Sequence, residues 1–203
     1  MRALTANVEP QPPNDAPLTP AAVVRLAALF YGAVTLFAIA YASVFGFLDR
    51  LWGERAATPP ALFEALAAGL SVVALSRLAH HALAFVRRAT EAMGELLGPL
   101  GAREAVALAL LSGFGEELVF RGALWPHLGL WGTSALFAVC HWAPIRSLRS
   151  YPLFVFCAGL LLGWLRERSG SLWPPILLHV VVNAFNLSWI GSLERTRASG
   201  EGA

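Results

Sequence analysis

The sequence predicts an all-α fold, a polytopic transmembrane helix bundle of about six spans plus an amphipathic interfacial helix. Three observations carry that reading. The 203 residues are 57% hydrophobic and only 14% charged, whereas soluble domains are about 45–50% apolar and about 25% charged. Mean hydropathy is +0.59. The apolar residues are gathered into long runs of the length a helix needs to cross a bilayer.

Residues 1–20, with Pro10, Pro12, Pro13, Pro17 and Pro20, read as a disordered Pro-rich tail. Residues 21–100 read as N-terminal transmembrane helices and an interfacial helix. The first span runs from Leu26 to Leu48. Its Ala38-Ile39-Ala40 resembles a signal-peptidase site, but the apolar run continues past it, so the segment is read as a retained span. The second span is Ala61 to Phe85, with Glu64, Arg77, His80 and His81; the two histidines are read as sitting near the interface. From Val86 to Pro99, Arg87, Arg88, Glu91 and Glu95 lie among Met93, Leu96 and Leu97, the pattern of a helix lying in the interface.

Residues 101–190 hold four further spans. These are Ala102–Leu124, Leu130–Trp142, Pro152–Leu165 and Leu172–Ile190, the last opened by Pro174-Pro175, which suits a first helical turn. The short fourth and fifth spans point to a cavity or a tilt. Trp125, Trp131, Trp142, Trp164, Trp173 and Trp189 lie near span ends, as interfacial aromatics do. Residues 191–203 read as a polar tail.

A net charge of +2 is too small for a nucleic-acid partner, and the partners expected are the lipid bilayer and a membrane-associated protein or peptide. All 15 basic residues are Arg, read as the mark of a GC-rich bacterial genome. Counted by side in a six-span topology, nine arginines fall with the termini and four opposite. That predicts cytoplasmic termini in a bacterial inner membrane. Cys140 and Cys157 have no metal-type spacing and are read as packing residues.

Ionisable groups are expensive in a bilayer, so those kept there call for a use. Glu117 and Arg121 stand at i, i+4 and pair on one helix face. Glu116 is turned about 100° away, and an unpaired buried carboxylate suits a general base. Ser112, Gly113 and Gly115 just before it allow another helix to come close. His141 follows Phe137 by four residues near a helix end. His179 and Asn183 project from one face, roughly 6 Å apart along the axis, and both can donate to one oxyanion. Each group alone also reads as a structural contact: a buried ion network, a helix-end histidine, an interhelical hydrogen bond. Their joint occurrence on three helices favours a hydrolytic site.

Glu116-Glu117-Leu118-Val119-Phe120-Arg121, Phe137-Ala138-Val139-Cys140-His141 and His179-Val180-Val181-Val182-Asn183 resemble the motifs of the CPBP family. These are the CAAX proteases and bacteriocin-processing enzymes, also called Abi, and they include the type II CAAX prenyl endopeptidases. Gly159-Leu160-Leu161-Leu162-Gly163-Trp164 and Gly170-Ser171-Leu172-Trp173-Pro174-Pro175 look like the family's lead into its last motif. The resemblance covers residues 101–190 and implies an intramembrane endopeptidase. It assigns the general base to Glu116, water orientation to His141, oxyanion stabilisation to His179 and Asn183, and support to Glu117 and Arg121.

The resemblance favours a glutamate-type mechanism without metal. A zinc-dependent version would use Glu116, His141 and His179, an acceptable donor set for an open catalytic site, although no His-Glu-x-x-His is present. Expected substrates are a prenylated C-terminal tail, a C-terminal sorting tail of the kind myxosortase-like members remove, or a leader or bacteriocin peptide. A non-catalytic immunity or scaffold protein would be expected to have lost a motif position. A transporter would be expected to show paired half-repeats, and none is visible.

Overall fold

The computed structural model describes residues 18–200. The tail expected over residues 1–20 lies outside these up to residue 17. The described residues form seven α-helices: α1 Pro20–Val44, α2 Pro59–Ala82, α3 Ala84–Leu97, α4 Ala102–Glu117, α5 Trp125–Cys140, α6 Tyr151–Ser169 and α7 Trp173–Ser199. No strand occurs among the described residues; an isolated bridge pairs Gly53 with Ser171. The all-α bundle read from the sequence is the observed fold.

Proline marks where most helices begin. α1, α2, α5, α6 and α7 each carry it in the first turn, where its missing N–H costs no hydrogen bond. Thr19 also caps α1, accepting from the Ala22 N–H at 3.3 Å. Gly170 ends α6 in the left-handed region at φ 68°. The Pro174-Pro175 expectation holds, and α7 continues through the polar residues to Ser199.

The span count differs from the expected six. Four helical segments are long and apolar enough to cross by themselves: Pro20–Val44, Pro59–Ala82, Arg146–Ser169 and Trp173–Ser199. A fifth is reached only by joining Ala84–Leu97 to Ala102–Ala123 across a 98° bend. The site residues are the reason, because every long window of Ala102–Ala123 contains Glu116 and Glu117 together with Arg121 or Arg103 and Glu104. The expected fourth span corresponds to the part of α5 beyond Gly129, which breaks the helix at φ 58° and leaves a segment too short to cross alone.

α4 lies between α1 and α7; α2 and α3 cover α7, and α5 pairs with α6. Much of α1 faces outward, with Leu29, Leu36 and Phe37 exposed as lipid-facing residues are. Small residues set the close approaches. A Cβ on Gly113 would lie 2.7 Å from Val180 Cγ2 of α7, and one on Gly159 3.1 Å from Ser134 Cα of α5. Cys140 and Cys157 are both exposed, so neither packs in the core as expected.

The link between α1 and α2 is clasped to the turn between α6 and α7. The N–H groups of Glu54 and Arg55 donate to Gly170 O at 2.9 and 3.0 Å, and Leu172 N–H donates to Trp52 O at 2.9 Å. Gly53 stands at φ 107° against this turn, where a Cβ would strike the Gly170 carbonyl.

Two glycines test the packing. Gly113→Ala is expected to cost about 1–3 kcal/mol by overpacking. Gly32→Ala, where nothing lies within 4 Å of a Cβ, is expected to be neutral or stabilising. Thermal unfolding in detergent of the two variants beside the wild type checks the contrast.

Candidate active site

The helix carrying Glu116 and Glu117 changes pitch right after them. Leu118–Ala123 is a π-helical turn, with Leu124 N–H bonded to Val119 O five residues back at 2.8 Å. Such turns leave backbone groups without their usual partners. Arg166 Nε of α6 donates to the Arg121 carbonyl at 3.3 Å.

Glu117 and Arg121 are fully buried, and Arg121 Nη1 donates to Glu117 Oε1 at 3.0 Å. The pair is not alone, as the i, i+4 reading had it. His179 Nδ1 of α7 meets the same oxygen at 2.8 Å, and Arg121 Nη2 donates to Gly159 O of α6 at 2.9 Å. The guanidinium also lies 4.7 Å from the Phe137 ring centre, a cation–π contact. One carboxylate thus ties α4 to α7 directly and to α6 through arginine.

Glu116 faces another way. Its Oε2 lies 3.7 Å from His141 Nε2 and 3.7 Å from His179 Nε2. These separations exceed a direct hydrogen bond and suit one bridging water. The tautomers follow from the partners. His141, which caps the end of α5, has Nδ1 at 2.8 Å from Phe137 O. A carbonyl only accepts, so this nitrogen donates. His179 Nδ1 donates to Glu117 in the same way. When neutral, both rings present the unprotonated Nε2 to Glu116.

One predicted residue, Asn183, is engaged by another helix. Asn183 Nδ2 donates to Ser112 Oγ of α4 at 2.9 Å, one turn from His179. Asn186, close to a turn further on, accepts from Arg77 Nη1 at 2.9 Å and from Ser76 Oγ at 3.1 Å. One residue was missed: Tyr31 of α1 donates its hydroxyl to Glu116 Oε1 at 2.5 Å. The available signal was a tyrosine in the middle of an apolar span instead of at its ends. Among the described residues, no group of three or more His, Cys, Asp or Glu is arranged to hold a metal ion.

A cleft of about 540 Å³ opens beside Glu116 and His141. Apart from Tyr31, its other walls are largely apolar: Phe30, Val34 and Phe37 from α1, Val119 and Phe120 from the π turn. The site therefore presents a carboxylate and the His141 imidazole to a hydrophobic groove, with His179 behind the carboxylate.

Fold and site together define an integral membrane helical protein with a buried glutamate–histidine–arginine cluster. Its residues 99–185, which contain all three motifs, match the family model described as Type II CAAX prenyl endopeptidase Rce1-like. The uncharacterized protein YpbD of Bacillus subtilis (strain 168) is 38% identical over 81 residues. That stretch is 39% of this chain and 41% of the relative, so this chain spans well under two thirds of its length. No solved structure matches.

Removing Arg121 strands a buried carboxylate. Arg121→Ala is expected to destabilise the protein by about 3–5 kcal/mol. Arg121→Met, which keeps apolar bulk, does not restore it unless Glu117 is also replaced by Gln. Denaturation midpoints of the single and double variants check this coupling.

Proposed function

We propose that the protein is an intramembrane endopeptidase that cleaves a peptide bond near the terminus of a membrane-associated protein. The observation that carries the reading is the meeting of Glu116 Oε2 with two imidazole Nε2 atoms at 3.7 Å each, within the segment that matches a protease family.

In this reading Glu116 is the general base. Its Oε2 takes a proton from a water held against His141 and His179, and the hydroxide attacks the scissile carbonyl carbon. Negative charge develops on the carbonyl oxygen. His179, protonated on Nε2 and backed by Glu117, donates to that oxygen, and Asn183 supplies its second amide N–H from one turn away. The C–N bond then breaks, and the proton on Glu116 passes to the departing amine. The carbonyl carbon keeps the hydroxyl, so one water is consumed per bond cut.

The cleft's apolar walls support a substrate that reaches the site from the lipid phase. A prenylated C-terminal tail, a C-terminal sorting tail and a leader peptide all meet that description. An all-Arg, bacterial composition favours the sorting tail. The metal-free form is preferred because the mechanism closes with the residues named. The zinc-dependent form would draw on Glu116, His141 and His179.

Glu116→Gln keeps the shape and removes the base. It is expected to lower cleavage by about 10²–10⁴-fold, read as the loss of new protein termini in membranes from cells carrying the variant instead of the wild type. Cleavage near the wild-type rate sinks the mechanism. Asn183→Ala is expected to cost about 10²–10³-fold in kcat. Elemental analysis of active purified protein decides the metal: stoichiometric zinc that chelators strip together with activity overturns the metal-free form.

A further inference from the structure

Tyr31 lies outside the matched segment and outside all three motifs. It sits midway along α1, on the bundle's outer side. A phenol at this depth needs a partner for its O–H. It finds Glu116 Oε1 at 2.5 Å, the short separation of a hydroxyl donating to a charged oxygen. Among the described residues, this is the one side-chain hydrogen bond that joins α1 to another helix. Gly115 makes the approach possible, since a Cβ there would stand 3.0 Å from Tyr31 Cδ1.

The bond has a directional consequence. The last torsion of a glutamate is broad, so its carboxylate turns freely unless something holds it. Glu117 is held by Arg121 and His179. On α4 itself nothing holds Glu116, and its Oε2 has no hydrogen-bond partner among the described residues. Tyr31 engages Oε1 and thereby leaves Oε2 turned toward His141 and His179. The ring also stands between two apolar clefts on the flanks of α1, of about 540 and 640 Å³. Tyr31 lines both clefts, whereas Glu116 lines the first and is not among the residues lining the second.

We propose that Tyr31 is a positioning residue for Glu116: its O–H pins one carboxylate oxygen, so that the other serves as the base in the histidine-lined cleft. The proposal rests on the reading of Glu116 as the base. Tyr31→Phe tests it by deleting one oxygen while keeping the ring and its packing.

The full-length protein in detergent is treated with dicyclohexylcarbodiimide, an apolar carboxyl reagent, and labelling is mapped by mass spectrometry. Because the phenol covers Oε1 and occupies its lone pair, Glu116 in Tyr31→Phe is expected to label about fivefold faster than in the wild type. The exposed Asp49 is the control and should not change. With a prenylated peptide ending in a CAAX sequence as the probe, kcat is expected to fall about tenfold with KM within about twofold. If Tyr31→Phe does not fold, Gly115→Ala, which displaces the ring and keeps the hydroxyl, is expected to give the same faster labelling.

Unchanged Glu116 labelling overturns the proposal, and so does an unchanged kcat in a wild type that cleaves the probe. If the wild type cleaves neither the probe nor any membrane protein while labelling still responds, the protease reading fails and the positioning of Glu116 stands. A purely structural tyrosine would lower the melting temperature without moving either readout.

Discussion

Glu117 Oε1 accepts from both Arg121 and His179, with no exposure to solvent. The rest of the site depends on this oxygen. At bilayer depth an ionised carboxylate persists only with donors around it, and each donor here comes with a helix attached. His179 brings α7, and Arg121 reaches on to α6 through Gly159 O. The cost of leaving any of these groups unpaired therefore registers three helices against one another. It also sets which nitrogen of His179 faces Glu116.

The π turn is part of the same arrangement. An α-helix continuing past Glu117 would satisfy its own carbonyls. In the widened turn the Arg121 carbonyl accepts from Arg166 Nε of α6. Two arginines from different helices thus meet the same turn, one through its side chain and one through its backbone. This braces the turn directly after the two glutamates, so they start from a rigid base. Glu117 is held by donors from within the bundle, and its neighbour has one oxygen, Oε2, without a hydrogen-bond partner among the described residues. Two identical residues in succession differ because one faces the bundle and the other the groove.

Legibility in the sequence followed how local each interaction is. The i, i+4 pair of Glu117 and Arg121, the proline at the start of α7 and the small residues before Glu116 are all set within one helix, and periodicity exposes them. The convergence of Glu116, His141 and His179 was visible as three motifs, but their distances were not, because they depend on how three helices pack. Glu117's bond to His179 was hidden for the same reason. So was Asn183's bond to Ser112, which an expectation of paired oxyanion donors did not include. Tyr31 was the least legible: its partner is 85 positions away, and one tyrosine in an apolar run carries no spacing. The span count came out at four or five candidates instead of six for physical reasons: charges crowd the helix that carries Glu116 and Glu117, and Gly129 shortens the helix expected to be the fourth span.

The clasp between Gly53 and the turn at Gly170 bears on where the functional unit ends. The family match begins at residue 99, which invites the view that the preceding helices are an appendage. Yet the backbone of residues 52–55 supplies the hydrogen bonds that hold the entrance to α7, the helix carrying His179 and Asn183. Cutting the chain at residue 99 would leave the Gly170 carbonyl and the Leu172 amide without these partners. The boundary of the matched segment therefore does not coincide with a boundary in the hydrogen bonding, which runs across it from residues 52–55 to the start of α7.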